Sequence, residues 1–85
     1  MPLFFFDVRD GEYFPDNVGT DLPDLDAARR EAVTFSGELL RDRGAKFWDG
    51  AEWRVEVKDA HGLMLFTLLF TGIDAPALRK PLRVV

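Results

Sequence analysis

Between Asp7 and Asp26 the chain carries seven carboxylates and one base, Arg9. Carboxylates gathered in a loop are the chemistry of a Mg²⁺ or Ca²⁺ site, so this stretch is the first candidate. A Ca²⁺ loop between two helices needs oxygen ligands at alternate positions, Gly at the sixth and Glu at the twelfth. Counted from Asp16, the third position is Val18, Gly19 falls at the fourth, and the twelfth is Ala27. That template fails. A looser site using Asp16, Asp21 and Asp24 remains. Turn and helix-start chemistry already accounts for most of these residues. Asp10 suits a turn, Asp16 and Asn17 suit a loop, Asp24 suits an N-cap, and Asp26 complements a helix dipole. The stretch therefore reads mainly as fold chemistry, with Asp16, Asp21 and Asp24 as weak metal candidates.

The other reactive types are thinly spread. His61 is the only histidine, and general-base work or zinc binding wants a second partner. It sits in a turn sequence, where polar residues are common. Thr20, Thr34 and Ser36 lack the surroundings of a nucleophile: there is no G-x-S-x-G, no phosphate loop and no cysteine. The expectation is a protein that is not an enzyme and needs no cofactor.

The net charge is -4, which repels phosphate backbones and argues against nucleic acid as a partner. The segment PALRKPLRVV is locally basic through Arg79, Lys80 and Arg83, the usual pattern of a solvated tail. The apolar start MPLFFFDV stops at Asp7 with no basic leader, and GLMLFTLLFTGI is too short to span a bilayer. These features point to a cytoplasmic protein with no membrane partner.

The elements that would position these residues follow from pattern. LFFFDVR (3–9) reads as a strand ending at Asp10-Gly11, a strong hairpin signal. A two-residue turn there sets Arg9 opposite Glu12, Val8 opposite Tyr13 and Asp7 opposite Phe14. Tyr13 then shares a face with Phe4, Phe6 and Val8, toward a helix, while Phe5 and Asp7 point away. Pro15 ends the second strand. Asp24 or Asp21 caps a helix over 25–43, where Leu25, Ala28, Ala32, Phe35 and Leu39 form an apolar stripe. Gly37 inside it suggests close packing on the sheet. GAKFWDGAE (44–52) reads as a loop. WRVEVKD and LMLFTLLF form a second hairpin about Asp59–Gly62, with Gly62 in a left-handed conformation. Counting back from Lys58 opposite Leu63 sets Val57 opposite Met64, Val55 opposite Phe66 and Trp53 opposite Leu68. The other face then carries Arg54, Glu56 and Lys58 with Leu63, Leu65 and Thr67.

At 85 residues this is one domain. The expected fold is α+β, a two-layer β-β-α-β-β sandwich with one helix on an antiparallel sheet. Residues 1–72 form the domain, and 73–85 form a tail that is mobile or docked on a neighbouring chain.

The motifs also carry a resemblance. Phe5-Phe6-Asp7-Val8-Arg9-Asp10-Gly11, the spacer from Asp16 to Leu22, the helix start from Asp24 to Ala32, and Asp59 to Gly62 follow one shared pattern. Over roughly residues 3 to 71 the chain resembles a family of short bacterial proteins, common in rhizobia and other alphaproteobacteria, that carry a single domain of unknown function. The resemblance implies no activity, cofactor or catalytic residue. A looser likeness is to small antitoxin domains with a partial ribonuclease-H fold, which place three strands before the helix where this pattern offers two.

LMLFTLLF is apolar in both phases, and one helix cannot cover two sheet faces. Leu63, Leu65 and Leu69, joined by Phe5, are therefore the expected interface of a homodimer, stacked through the sheet face away from the helix. Arg54, Glu56 and Lys58 are expected at its polar rim. The functional expectation is a non-enzymatic protein-interaction module that self-associates. The alternative is an antitoxin-like or RNA-related regulatory domain.

Overall fold

The computed structural model describes residues 2–50 and 52–79. Its elements run β1 (Leu3–Arg9), β2 (Tyr13–Phe14), β3 (Thr20–Asp21), α1 (Leu25–Arg43), a 3₁₀ helix (Gly44–Asp49), β4 (Trp53–Asp59), β5 (Met64–Phe70) and a single turn, α2 (Pro76–Arg79). The strands form one antiparallel sheet in the order β2-β1-β4-β5, and β3 also pairs with β1. The architecture is the expected α+β sandwich. The pairing of β1 with β4 settles a strand order that pattern alone leaves open.

Three strand segments precede the helix, not two. β2 pairs with Val8 and Arg9, and β3 pairs with Leu3 and Phe4, both antiparallel. They are two short pieces of one edge lane, interrupted where Pro15 cannot donate to a ladder. Within the gap, Asp16 takes over from backbone. Its Oδ2 accepts the Phe6 N–H at 3.1 Å, and its Oδ1 accepts the Val18 and Gly19 N–H groups at 2.9 and 3.0 Å.

The first turn departs from expectation. Arg9 lies opposite Tyr13 and Val8 opposite Phe14, so the loop holds three residues, Asp10 to Glu12. A two-residue type I′ turn needs positive φ at both central positions. Only Gly11 adopts it here (φ 101°), and Asp10 instead accepts the Glu12 N–H on its carboxylate. A shift of one residue reverses the faces of the following strand. Tyr13 therefore lies on the face away from the helix, and Phe14 moves to the helix side.

The second hairpin has the expected Gly62 (φ 84°) but a different register. Asp59 N–H donates to the Leu63 carbonyl, Lys58 pairs with Met64, and a bulge beyond Val57 absorbs Leu65. Val57, Val55 and Trp53 then meet Phe66, Leu68 and Phe70. The net shift is two residues for most of the strand, which keeps Phe66 and Leu68 on the expected face.

Helix α1 has the expected bounds. Asp24 is its N-cap, accepting the Ala27 N–H at 2.8 Å, with Asp26 in the first turn and Arg41 and Arg43 in the last. Ala28, Ala32 and Leu39 are buried against Phe4, Phe6, Val8, Trp53, Val55 and Val57, and Phe35 sits edge-on to Phe6 at 6.2 Å. Leu25, at the start of the stripe, is exposed. The segment after α1 is a 3₁₀ helix where pattern suggested a loop. It brings Phe47 edge-on to Trp53 at 5.3 Å and lays Trp48 against Gly72. Pro76 opens a helical turn in the tail, as proline can at a first helical position. The rest of the tail, 80–85, lies outside the described residues.

Two glycines separate by environment. Gly19 has φ 81°, and a Cβ there would lie 2.9 Å from the Phe5 ring, so the Gly19 backbone and Phe5 fix each other. Gly37 is exposed, and a Cβ there meets nothing within 4 Å, so it makes no close contact with the sheet. Gly19→Ala should lower stability by about 1–2 kcal/mol, the usual penalty of left-handed backbone, before any clash. Gly37→Ala should raise it by roughly 0.5–1 kcal/mol. Urea denaturation of the two variants checks both signs.

Candidate functional site

The most unusual chemistry lies on the sheet face away from the helix. Strand alternation puts Phe5, Asp7 and Arg9 of β1 beside Lys58, Glu56 and Arg54 of β4. Asp7 is only 1% exposed and Glu56 only 7%, though neither lies under the helix. Asp7 Oδ1 accepts the Asp16 N–H at 2.9 Å, and its Oδ2 takes the Tyr13 hydroxyl at 2.9 Å and the Lys58 ammonium at 2.7 Å. Glu56 holds Arg9 at 3.0 Å and lies 3.9 Å from Arg54. The Arg9 guanidinium also stacks 4.1 Å over the Tyr13 ring. The lattice carries five charges, three positive and two negative, and each carboxylate has its own cations.

Burial pushes the Asp7 carboxyl up. The Asp16 N–H, the Lys58 ammonium and the Tyr13 hydroxyl together outweigh it and leave Asp7 below the ordinary carboxylate range. Asp16 behaves alike. Burial raises it, the N–H groups of Gly19, Val18 and Phe6 more than reverse this, and nearby Asp7 opposes them. Lys58 is raised by its hydrogen bond to Asp7, and Arg9 by its bond to Glu56. Each carboxylate shift favours the ionised, hydrogen-bonded form. That pattern belongs to structural ion pairs, whereas a general base must be able to release and regain its proton near working pH.

The acidic candidates do not converge. Both Asp16 oxygens are taken up by backbone N–H groups, Asp24 caps α1, and Asp21 is exposed on β3. Among the described residues, no three carboxylates or histidines come together to hold a metal. His61 is exposed in the second turn. There the Asp59 carboxylate accepts the His61 and Leu63 N–H groups at 2.8 and 2.9 Å. The Leu63 and His61 N–H groups hold Asp59 below its usual range. Ser36 is buried, and its Oγ has no hydrogen-bond partner.

A groove of about 410 Å³ lies between α1 and the interrupted edge lane, over Phe6, Val8, Phe35 and Leu39. Its polar residues include Asp16, already bonded, and Arg43, which pairs with Asp10 at 3.1 Å and lies over the Phe14 ring.

The expected interface residues are dispersed. Leu63 and Leu69 are 62% and 55% exposed. Phe5 is half-buried and its ring abuts Gly19. Leu65, at the bulge, is half-buried and packs against the core cluster. Because β4 is an inner lane, Arg54, Glu56 and Lys58 occupy the middle of the outer face, not its rim. Leu65 and Leu69 lie on β5, at the sheet edge, and Leu63 just precedes it. The Asp7 lattice was half visible in sequence, since Asp7 and Glu56 share the outer face by alternation. The missing step was the adjacency of β1 and β4.

Residues 3–71 match a family described as a domain of unknown function, DUF6894. No curated protein and no solved structure matches the chain significantly. No helix among the described residues is long and apolar enough to cross a membrane.

Asp7→Ala should destabilise the domain by about 2–3 kcal/mol, because it strands the Tyr13 hydroxyl and the Asp16 N–H. The pH dependence has a definite sign. Asp7 and Asp16 are depressed in the folded state, so the unfolded chain binds more protons as pH falls below about 4, the ordinary carboxylate value. Their stabilisation is complete above that pH and is lost as pH falls through the folded values. Melting temperature followed from pH 7 down to pH 2 should fall steeply in the wild type. It should fall less steeply in Asp7→Asn.

Proposed function

The chain belongs to the DUF6894 family, and we propose that it works as a non-enzymatic protein-interaction module that self-associates. One observation carries this reading. From Gly62 to Ile73 the chain has no charged side chain. This run holds the edge strand β5, and Leu63, Met64, Leu69 and Ile73 are all substantially exposed. An uncharged edge strand flanked by exposed apolar side chains offers a small domain an interaction surface. The hydrophobic gain from covering it is the natural supplement to a core of this size.

The ionisable groups support the same reading. The two most buried carboxylates, Asp7 and Glu56, are committed to cations and donors within the sheet. Arg9, Arg54 and Lys58 are held by those carboxylates, so the outer face offers no free basic stripe to a phosphate backbone.

The alternative, an antitoxin-like or RNA-related regulatory domain, draws on the three strand segments ahead of α1. Since β2 and β3 share one lane beside β1, they give that reading two strands, not three.

Sedimentation equilibrium on the full chain, from low to high micromolar, should show mass rising from 9.7 kDa toward twice that value. A monomer at every concentration removes self-association from the proposal.

A further inference from the structure

We infer that β5 pairs antiparallel with β5 of a second copy, joining two sheets into one continuous sheet with both helices on the same face. This rests on the self-association reading and gives it a surface and a geometry.

The two edges of the sheet are treated differently. The β2/β3 edge is guarded. Its strands are two residues each, Pro15 interrupts them, and the Asp16 carboxylate occupies the Phe6 N–H that a longer strand would use. These are the devices by which proteins blunt an edge. β5 is seven residues long and lies at the end of the strand order, with no neighbour on its far side among the described residues. It has no proline, no lysine and no other charge. Its one irregularity, the bulge at Leu65, lies near one end and leaves Phe66–Phe70 in unbroken register with β4.

The occupant that fits is the same strand. The outward N–H and C=O groups of an antiparallel edge complement those of an identical edge turned by a two-fold axis. With Leu68 on that axis, Phe66 of one copy faces Phe70 of the other, and Thr67 faces Leu69. Partners in this register share a face, so the row Phe66, Leu68 and Phe70 continues across the junction. That row faces the helix layer yet is only half-buried in one copy, because α1 lies over the inner strands. Beside it runs an open apolar trough lined by Leu40, Phe47, Trp48 and Phe70, into which a second row of side chains can extend. Charge selects the same occupant. A strand of another protein carrying acids or bases finds no counter-charge from Gly62 to Ile73, whereas two copies set no like charges against each other.

The test reads pairing in the intact chain. Hydrogen exchange should show β5 amides that are not bonded to β4 gaining at least tenfold protection between low and high micromolar protein. Leu68→Cys, in a chain with no other cysteine, should form an interchain disulfide under mild oxidation, since facing positions on paired strands lie within disulfide reach. Leu63→Cys should not. Leu69→Lys, at an exposed position, should weaken association at least tenfold while keeping a cooperative melt. If the wild type associates but its β5 amides gain no protection and Leu68→Cys stays uncoupled, edge pairing is overturned and self-association survives through another surface. Coupling to that other surface is also the conclusion if Leu69→Lys dissociates the chain without those two signals, since stacked outer faces bury Leu69 but not Leu68. If the wild type never associates, both readings fall.

Discussion

The Asp7 carboxylate cross-links, through side chains on the outer face, strands that the β1–β2 and β1–β4 ladders pair through the backbone. It sits on β1 and collects the Lys58 ammonium from β4, the Tyr13 hydroxyl from β2 and the Asp16 N–H from the broken edge lane. A buried carboxylate is tolerated only when its lone pairs are filled and its charge is met. Each partner comes from a different segment, so all three must be in place together. The lattice thus specifies the sheet more than it drives collapse. Collapse comes from the other face, where Val55, Val57, Ala28 and Ala32 are fully buried.

Asp16 continues the same logic one step outward. Its N–H serves Asp7, and its side chain serves Phe6, Val18 and Gly19. One residue therefore closes the gap left by Pro15 and steers the chain into the left-handed Gly19. The acidic stretch that first suggests a metal loop is better understood as wiring for backbone donors. Asp16 is there because the edge lane lacks a strand to satisfy Phe6 of β1, while Asp10 serves the turn and Asp24 the helix start.

Much of this was legible from pattern. Helix α1 was plain because Asp24 and the three-four spacing from Leu25 to Leu39 agree. The two hairpins were plain in existence but not in register. Alternation fixes a face and not a partner, and turn length is decided by which residues accept positive φ. At Asp10-Gly11 only the glycine did, and Tyr13 changed sides. At Asp59–Gly62 the Asp59 carboxylate tightened the turn by binding two N–H groups, and Leu65 was pushed into a bulge. The ion lattice depends on long-range adjacency: Arg9 and Glu56 are 47 residues apart. No local signal announces such a pair.

The order of the lanes has a consequence for how the protein comes off the ribosome. β1 is made first, yet it lies inside the sheet, between an edge lane that follows at once and β4, which follows only after the whole of α1. Until β4 emerges, β1 and α1 lack the inner strand that completes the apolar layer between them. Asp7 then has no ammonium and Phe6 and Val8 lack the strand beside them. The β1–β4 ladder therefore cannot form before β4 has been translated. The closing event is the docking of a late strand against an early one.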